Sequence, residues 1–120
     1  MDMAKRFINF YETKAFLRDT KKSIGDEERT KLKQFLAFDP EAGVIIPGSG
    51  GVRKLRWVRP GIGKRGGARV IYYYYRDDVP LYLFAVYAKN EKDDLSQSEL
   101  KELKKRAEAI KAAYKGDKNA

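Results

Sequence analysis

Residues 51–78 read GVRKLRWVRPGIGKRGGARVIYYYYRDD, and the rest of the chain is best understood outward from them. From Ala42 to Arg76 there is no Asp or Glu. The same window holds eight cations: Arg53, Lys54, Arg56, Arg59, Lys64, Arg65, Arg69 and Arg76. They are interleaved with Val, Leu, Trp, Ile and Tyr rather than bunched into a tail, which is the pattern of strands with one charged face. In residues 52–59, Leu55 and Trp57 share a face with Arg53, while Lys54, Arg56 and Val58 take the other. Residues 61–67 form a basic, glycine-rich hairpin tip. In the returning strand, Ala68 to Tyr75, the residues Arg69, Ile71, Tyr73 and Tyr75 share one side, and Ala68, Val70, Tyr72 and Tyr74 the other.

The flanking segments supply a scaffold. Phe7 to Tyr11 is an aromatic and β-branched run, read as a first strand. Glu12 to Lys22 turns helical. Ser23-Ile24-Gly25 breaks the helix, and Asp26 is placed as the N-cap of a second helix with Glu27 and Glu28 in its first turn. That helix carries Leu32, Phe35 and Leu36 and stops at Asp39-Pro40. Pro47 to Gly51 is a loop. Asp77-Asp78 with Pro80 makes a turn, and Leu81 to Tyr87 is nearly all apolar, as expected of a strand buried at the centre of a sheet. Ser96-Gln97-Ser98-Glu99 is a capping box. The helix it opens carries Leu100, Leu103, Ala107, Ile110 and Tyr114 at 3-4 spacing. The order βααβββα gives an α+β fold with one antiparallel sheet. The 120 residues form a single domain, with 116–120 a frayed tail.

Composition narrows the chemistry. The chain has no Cys and no His, and a net charge of +9. That removes thiol and imidazole nucleophiles, His/Cys zinc sites and the ordinary His general base. The charge predicts attraction to nucleic acid. No window reaches the roughly 18 apolar residues of a membrane span, and the first apolar run is too short for a signal peptide. The expectation is a cytoplasmic protein without a cofactor. The carboxylates Asp77/Asp78 and Asp93/Asp94 read as turn and cap residues rather than metal ligands. The glycines at 48–51 and 61–63 read as turns, since no Gly-Lys-Ser/Thr follows them.

The cationic strand pair is the strongest chemical signal. Lys54 and Arg56 lie two apart on one face, within reach of one phosphate region. Arg69 on the partner strand converges on them, and Lys89 and Lys92 follow the last strand. If the ligand is RNA and a 2′-hydroxyl attacks its own phosphate, clustered Lys and Arg stabilise the charge gathering on the phosphorane oxygens. Arg53, Arg59, Lys64 and Arg65 are assigned to RNA contacts. Tyr73 is a candidate for stacking a base, against the alternative that it packs in the core. A solvated basic face without catalysis is the competing reading.

The pieces Gly50-Gly51-Val52-Arg53-Lys54-Leu55-Arg56, Gly63-Lys64-Arg65-Gly66-Gly67-Ala68-Arg69-Val70-Ile71-Tyr72-Tyr73, Leu81-Tyr82-Leu83-Phe84 and Tyr87-Ala88-Lys89-Asn90-Glu91-Lys92-Asp93-Asp94-Leu95-Ser96 resemble the RelE/HigB family of bacterial toxins, and among them the HigB-like branch. The resemblance covers roughly residues 7–110. It implies a small RelE-like toxin domain that enters the ribosomal A site and cuts mRNA by metal-free transphosphorylation. It also implies a tightly bound antitoxin, usually with a helix-turn-helix domain, through which alone the complex reaches operator DNA. The family's catalytic basic residues fall on Lys54, Arg56, Arg69, Lys89 and Lys92. One key family arginine falls on Asn90, which is grouped with the RNA contacts, and the family's C-terminal tyrosine falls on Ser96. The related ParE toxins share the fold and poison gyrase, so the resemblance also carries a non-nuclease alternative.

Overall fold

The computed structural model describes residues 8–58, 67–88 and 94–116. The chain runs β1 (Phe10–Glu12), α1 (Lys14–Ser23), α2 (Gly25–Phe38), β2 (Val44–Ile45), β3 (Arg53–Trp57), β4 (Ala68–Tyr73), β5 (Leu81–Ala88) and α3 (Gln97–Tyr114). The five strands form one sheet in the order β1-β5-β4-β3-β2. β2 to β5 are antiparallel neighbours, but β1 lies parallel to β5, with Phe10 opposite Leu81. The sheet is therefore mixed rather than purely antiparallel. The later strands are joined by short connections that enforce antiparallel pairing. β1 is separated from its partner by most of the chain, so no local turn dictates its direction.

Each face of the sheet buries its own cluster. On one side Phe16, Ile24, Leu32 and Leu36 of the helical hairpin pack on Leu55, Val70, Tyr72, Leu81 and Leu83. On the other, Leu103, Ala107 and Ile110 of α3 pack on Ile71, Tyr73, Phe84 and Tyr87. β4 is buried along its whole length and holds the middle position of the sheet, the place the sequence suggested for β5. A register shift between Ile71 and Tyr72 places an extra residue on β5, yet the two faces of β4 remain assigned as its alternation predicts.

Local chemistry fixes the ends. Thr13 caps α1, accepting from the Phe16 N–H at 3.0 Å while its hydroxyl donates to the Phe84 carbonyl, also at 3.0 Å. It joins the helix to β5 directly. The cap of α2 falls on Ile24 rather than Asp26, which sits inside the first turn. The cause is Gly25: its φ of 81° takes the left-handed conformation that ends α1, and α2 begins at once. α3 opens with the full capping box of Ser96 and Glu99.

Two buried connections stitch the sheet to its helices. The Tyr72 hydroxyl donates to the Pro40 carbonyl and accepts from the Gly43 N–H, both at 2.8 Å. A Cβ at residue 43 would lie 2.9 Å from the Tyr72 ring, so the close approach requires glycine. Glu12 on β1 receives Arg29 at 2.6 Å and Lys33 at 3.0 Å from α2. Burial pushes the Glu12 carboxyl up, but the hydrogen bonds and charges of Arg29 and Lys33 together outweigh it and hold the carboxyl below 4.5.

Tyr72→Phe leaves a buried N–H and a buried carbonyl without their shared partner and is expected to lower unfolding free energy by about 1–3 kcal/mol in urea titration. Glu12→Gln gives the pH test. Because the folded-state value is depressed, the wild type's advantage over Glu12→Gln should be full above the unfolded value near 4.5 and vanish as acid takes the pH down through the folded value. Parallel unfolding curves of the two proteins between neutral and strongly acidic pH check it.

Candidate nucleic-acid interface

α3 packs over Ile71, Tyr73, Phe84 and Tyr87 and reaches Val52 beside β3, and the part of the face carrying Lys54, Arg56 and Arg69 stays open as a cleft. The strand register then decides what stands there. Val44 pairs with Lys54, Lys54 with Ile71, and Arg56 with Arg69. Cross-strand partners point to the same face, so Val44, Lys54, Arg56 and Arg69 share it. They line one cleft of about 630 Å³ together with Ala42, Leu55 and Asp94.

The charges in this cleft are unevenly answered. The Lys54 Nζ lies 3.2 Å from the Asp94 carboxylate. Neither Arg56 nor Arg69 has a carboxylate within ion-pair distance among the described residues. Arg69 is only 9% exposed. Most of its side chain is packed into the cleft wall while its guanidinium nitrogens keep access to the hollow, so an anion bound there would meet a positioned cation. Arg56 stands directly opposite Arg69, a like-charge pair that disfavours the ladder when no anion is bound. The arrangement can hold a phosphate by two planar forks and an ammonium. Among the described residues no group of Asp or Glu lies close enough together to hold a metal ion.

Two sequence expectations are corrected. Tyr73 is 3% exposed, packed beneath α3 with its ring stacked on Tyr75 at 6.5 Å, and burial pushes its hydroxyl up. Its ring has no accessible face for a base. The strand alternation was right to put it on the Arg69 side, but α3 covers that end of the face. Arg53 points to the other side of β3 and braces the chain before β2. Its guanidinium donates to the carbonyls of Glu41 (3.1 Å) and Gly43 (2.7 Å) and pairs with the Glu41 carboxylate at 3.6 Å. It is committed to that backbone, away from the face shared by Lys54 and Arg56. Arg59, Lys64, Arg65, Lys89, Asn90 and Lys92 lie outside the described residues. Trp57 is half-buried, donating to Glu28 at 3.0 Å and tilted against Phe35.

Sequence reading missed two contributors. The order βααβββα lacks β2, although Val44-Ile45-Ile46 is a β-branched run, the signal that marks it. The Asp93/Asp94 pair reads as turn and cap residues, but the Asp94 carboxylate turns into the cleft. Only tertiary distance reveals that. A second groove, of about 600 Å³, lies between α1 and α3 beside β5. Its walls carry Arg18, Lys22, Glu99 and Glu102, so signs are mixed and no cations converge.

Comparison with known proteins agrees with this architecture. Residues 8–118 match the model of the RelE toxin of the RelE/RelB toxin–antitoxin system. The chain belongs to the RelE toxin family and is the toxin component of such a system, with an antitoxin as its partner class. It is also similar in fold to a free-state double arginine-to-alanine mutant of the E. coli toxin RelE, at 18% identity and a TM-score of 0.51, over 86% of this chain and 97% of that one.

Arg69→Met separates function from stability. Removing a cation that opposes Arg56 across the ladder and has no carboxylate partner among the described residues should leave the unfolding midpoint equal to wild type or raise stability by up to about 1 kcal/mol. A clear loss of stability in denaturant titration would show that Arg69 serves the fold instead.

Proposed function

We propose that this toxin is a ribosome-dependent mRNA endonuclease that works by metal-free transphosphorylation in the cleft between β2, β3 and β4. The observation that carries the reading is the convergence of Lys54, Arg56 and Arg69 on one open hollow, with two of the three cations unanswered by acid among the described residues. Family membership supports it.

In the reaction the 2′-oxygen of one nucleotide forms a bond to the adjacent phosphorus. The bond from phosphorus to the 5′-oxygen of the next nucleotide breaks. The 2′-proton leaves to a base and the departing 5′-oxygen takes one up. Negative charge gathers on the phosphorane oxygens between these events. Arg56 and Arg69 stay protonated and clamp it, and Lys54 supplies a third positive charge. Lys89 and Lys92 are proposed to join them by their place in the family pattern, and Arg59, Lys64, Arg65 and Asn90 to hold the strand. A fixed cluster with no solvent reorganisation to perform is how a site without His achieves useful rates, provided the ribosome holds the mRNA in line. The antitoxin, by the same resemblance, is a helix-turn-helix protein that blocks the toxin in the cytoplasm and carries the complex to operator DNA.

A short induction of the wild-type chain should arrest growth and generate new transcript 5′ ends that appear only during translation. Lys54→Ala with Arg69→Ala should lose both, since each removed charge stabiliser costs roughly 10²–10³ in rate. A DNA-damage response without cut transcripts would replace this reading with gyrase inhibition.

A further inference from the structure

Among the described residues the cleft contains one acid, and it stands against the charge the site is otherwise built to attract. Asp94 lies two residues before the Ser96 cap of α3, so the capping box anchors the backbone that presents it. Its carboxylate is 3.2 Å from the Lys54 ammonium, on the rim of the hollow shared with Arg56 and Arg69. It caps nothing, and its side chain is 81% exposed. An exposed ion pair of this kind is weak, so Lys54 can turn part of its charge to a ligand while the carboxylate stays at the rim.

We infer that Asp94 sets the anion selectivity of the cleft, favouring an internal phosphodiester over a terminal phosphate. The inference rests on the nuclease reading above for its substrate class and adds the residue that discriminates within it. Arg56, Arg69 and Lys54 contribute three positive charges and Asp94 one negative, leaving the described cleft at two. Coulomb attraction to a ligand grows in proportion to the ligand's charge. The cost of stripping water from the ligand grows with the square of that charge, as Born solvation dictates. A fully cationic hollow would overcome the larger cost and fill with dianions, including inorganic phosphate and the phosphorylated ends of RNA. Lowering the hollow by one charge withdraws twice as much attraction from a dianion as from a monoanion. The diester of an intact strand carries one charge, whereas a terminal monoester carries close to two at neutral pH. Asp94 thus disfavours the abundant small phosphates at half that expense to the intact strand.

The test uses the whole protein and two probes that cannot be cleaved. One is a 2′-deoxy dinucleotide with a single diester. The other is a nucleoside 5′-monophosphate, fully dianionic at about pH 8. Affinities of wild type, Asp94→Asn and Glu108→Gln are measured by NMR titration at fixed low salt. Glu108 is an exposed α3 acid outside the cleft lining, so Glu108→Gln makes the same change in net charge away from the site. Asp94→Asn should tighten both probes, with a logarithmic gain for the monoester about twice that for the diester, so that about threefold for the diester accompanies about ninefold for the monoester. Glu108→Gln should leave the ratio of the two affinities at its wild-type value. Unchanged or weakened binding in Asp94→Asn, or the same ratio shift in Glu108→Gln, overturns the inference. The two readings fail separately. A selectivity shift in a protein that cuts no transcripts removes the nuclease and keeps the selectivity residue, while uncleavable probes with no shift in an active nuclease do the reverse.

Discussion

Arg56 faces Arg69 across the β3–β4 ladder, and the site depends on that pairing. Slip the register by one residue and Lys54 and Arg56 turn into the core beneath the helical hairpin, while Leu55 and Trp57 come to the surface. The register is held from both sides. Leu55, Val70 and Tyr72 are committed to the hairpin core, and Ile71 and Tyr73 to α3. Two apolar clusters therefore force two like charges together at a place where the ladder alone would keep them apart. Local conflict retained against such strong surroundings is a mark of a functional position.

The helices divide the labour. α1 and α2 close one face, tied to it by Thr13, by Tyr72 and by the Glu12 ion-pair group. α3 closes part of the other, over β4, β5 and Val52. The open remainder is small, concave and positively charged, and its rim is set by Val44 from the edge strand and by Asp94 from the approach to α3. Strands thus place every described cleft residue except Asp94 and Ala42, so the geometry of the cations is fixed by the sheet.

Much of this was legible in the sequence because it is periodic. Alternation put Lys54 and Arg56 on one face, with Arg69 left to converge from the partner strand until the β3–β4 register joined them, and 3-4 spacing found the buried stripe of α3. The capping box was readable because its bonds are local. What failed to show was set at a distance. The direction of β1 depends on β5, some seventy residues later. The burial of Tyr73 depends on where α3 lies, not on the strand that carries it. Arg53 looked like one more cation of the basic run until its carbonyl partners at Glu41 and Gly43 came into view. Charge density marks a surface, but only packing says which members of it are spoken for.

The brevity of β2 has a consequence for the molecule in solution. A sheet whose last strand is left bare offers a row of amides and carbonyls on which other chains can polymerise, and apolar side chains there make the hazard worse. Here the last strand is two residues long, Val44 and Ile45, closed by the Gly43 contact on one side and by Pro47 and a tight turn on the other. That is too short to template a fibril. The toxin can therefore keep an uncovered sheet face without inviting its own aggregation.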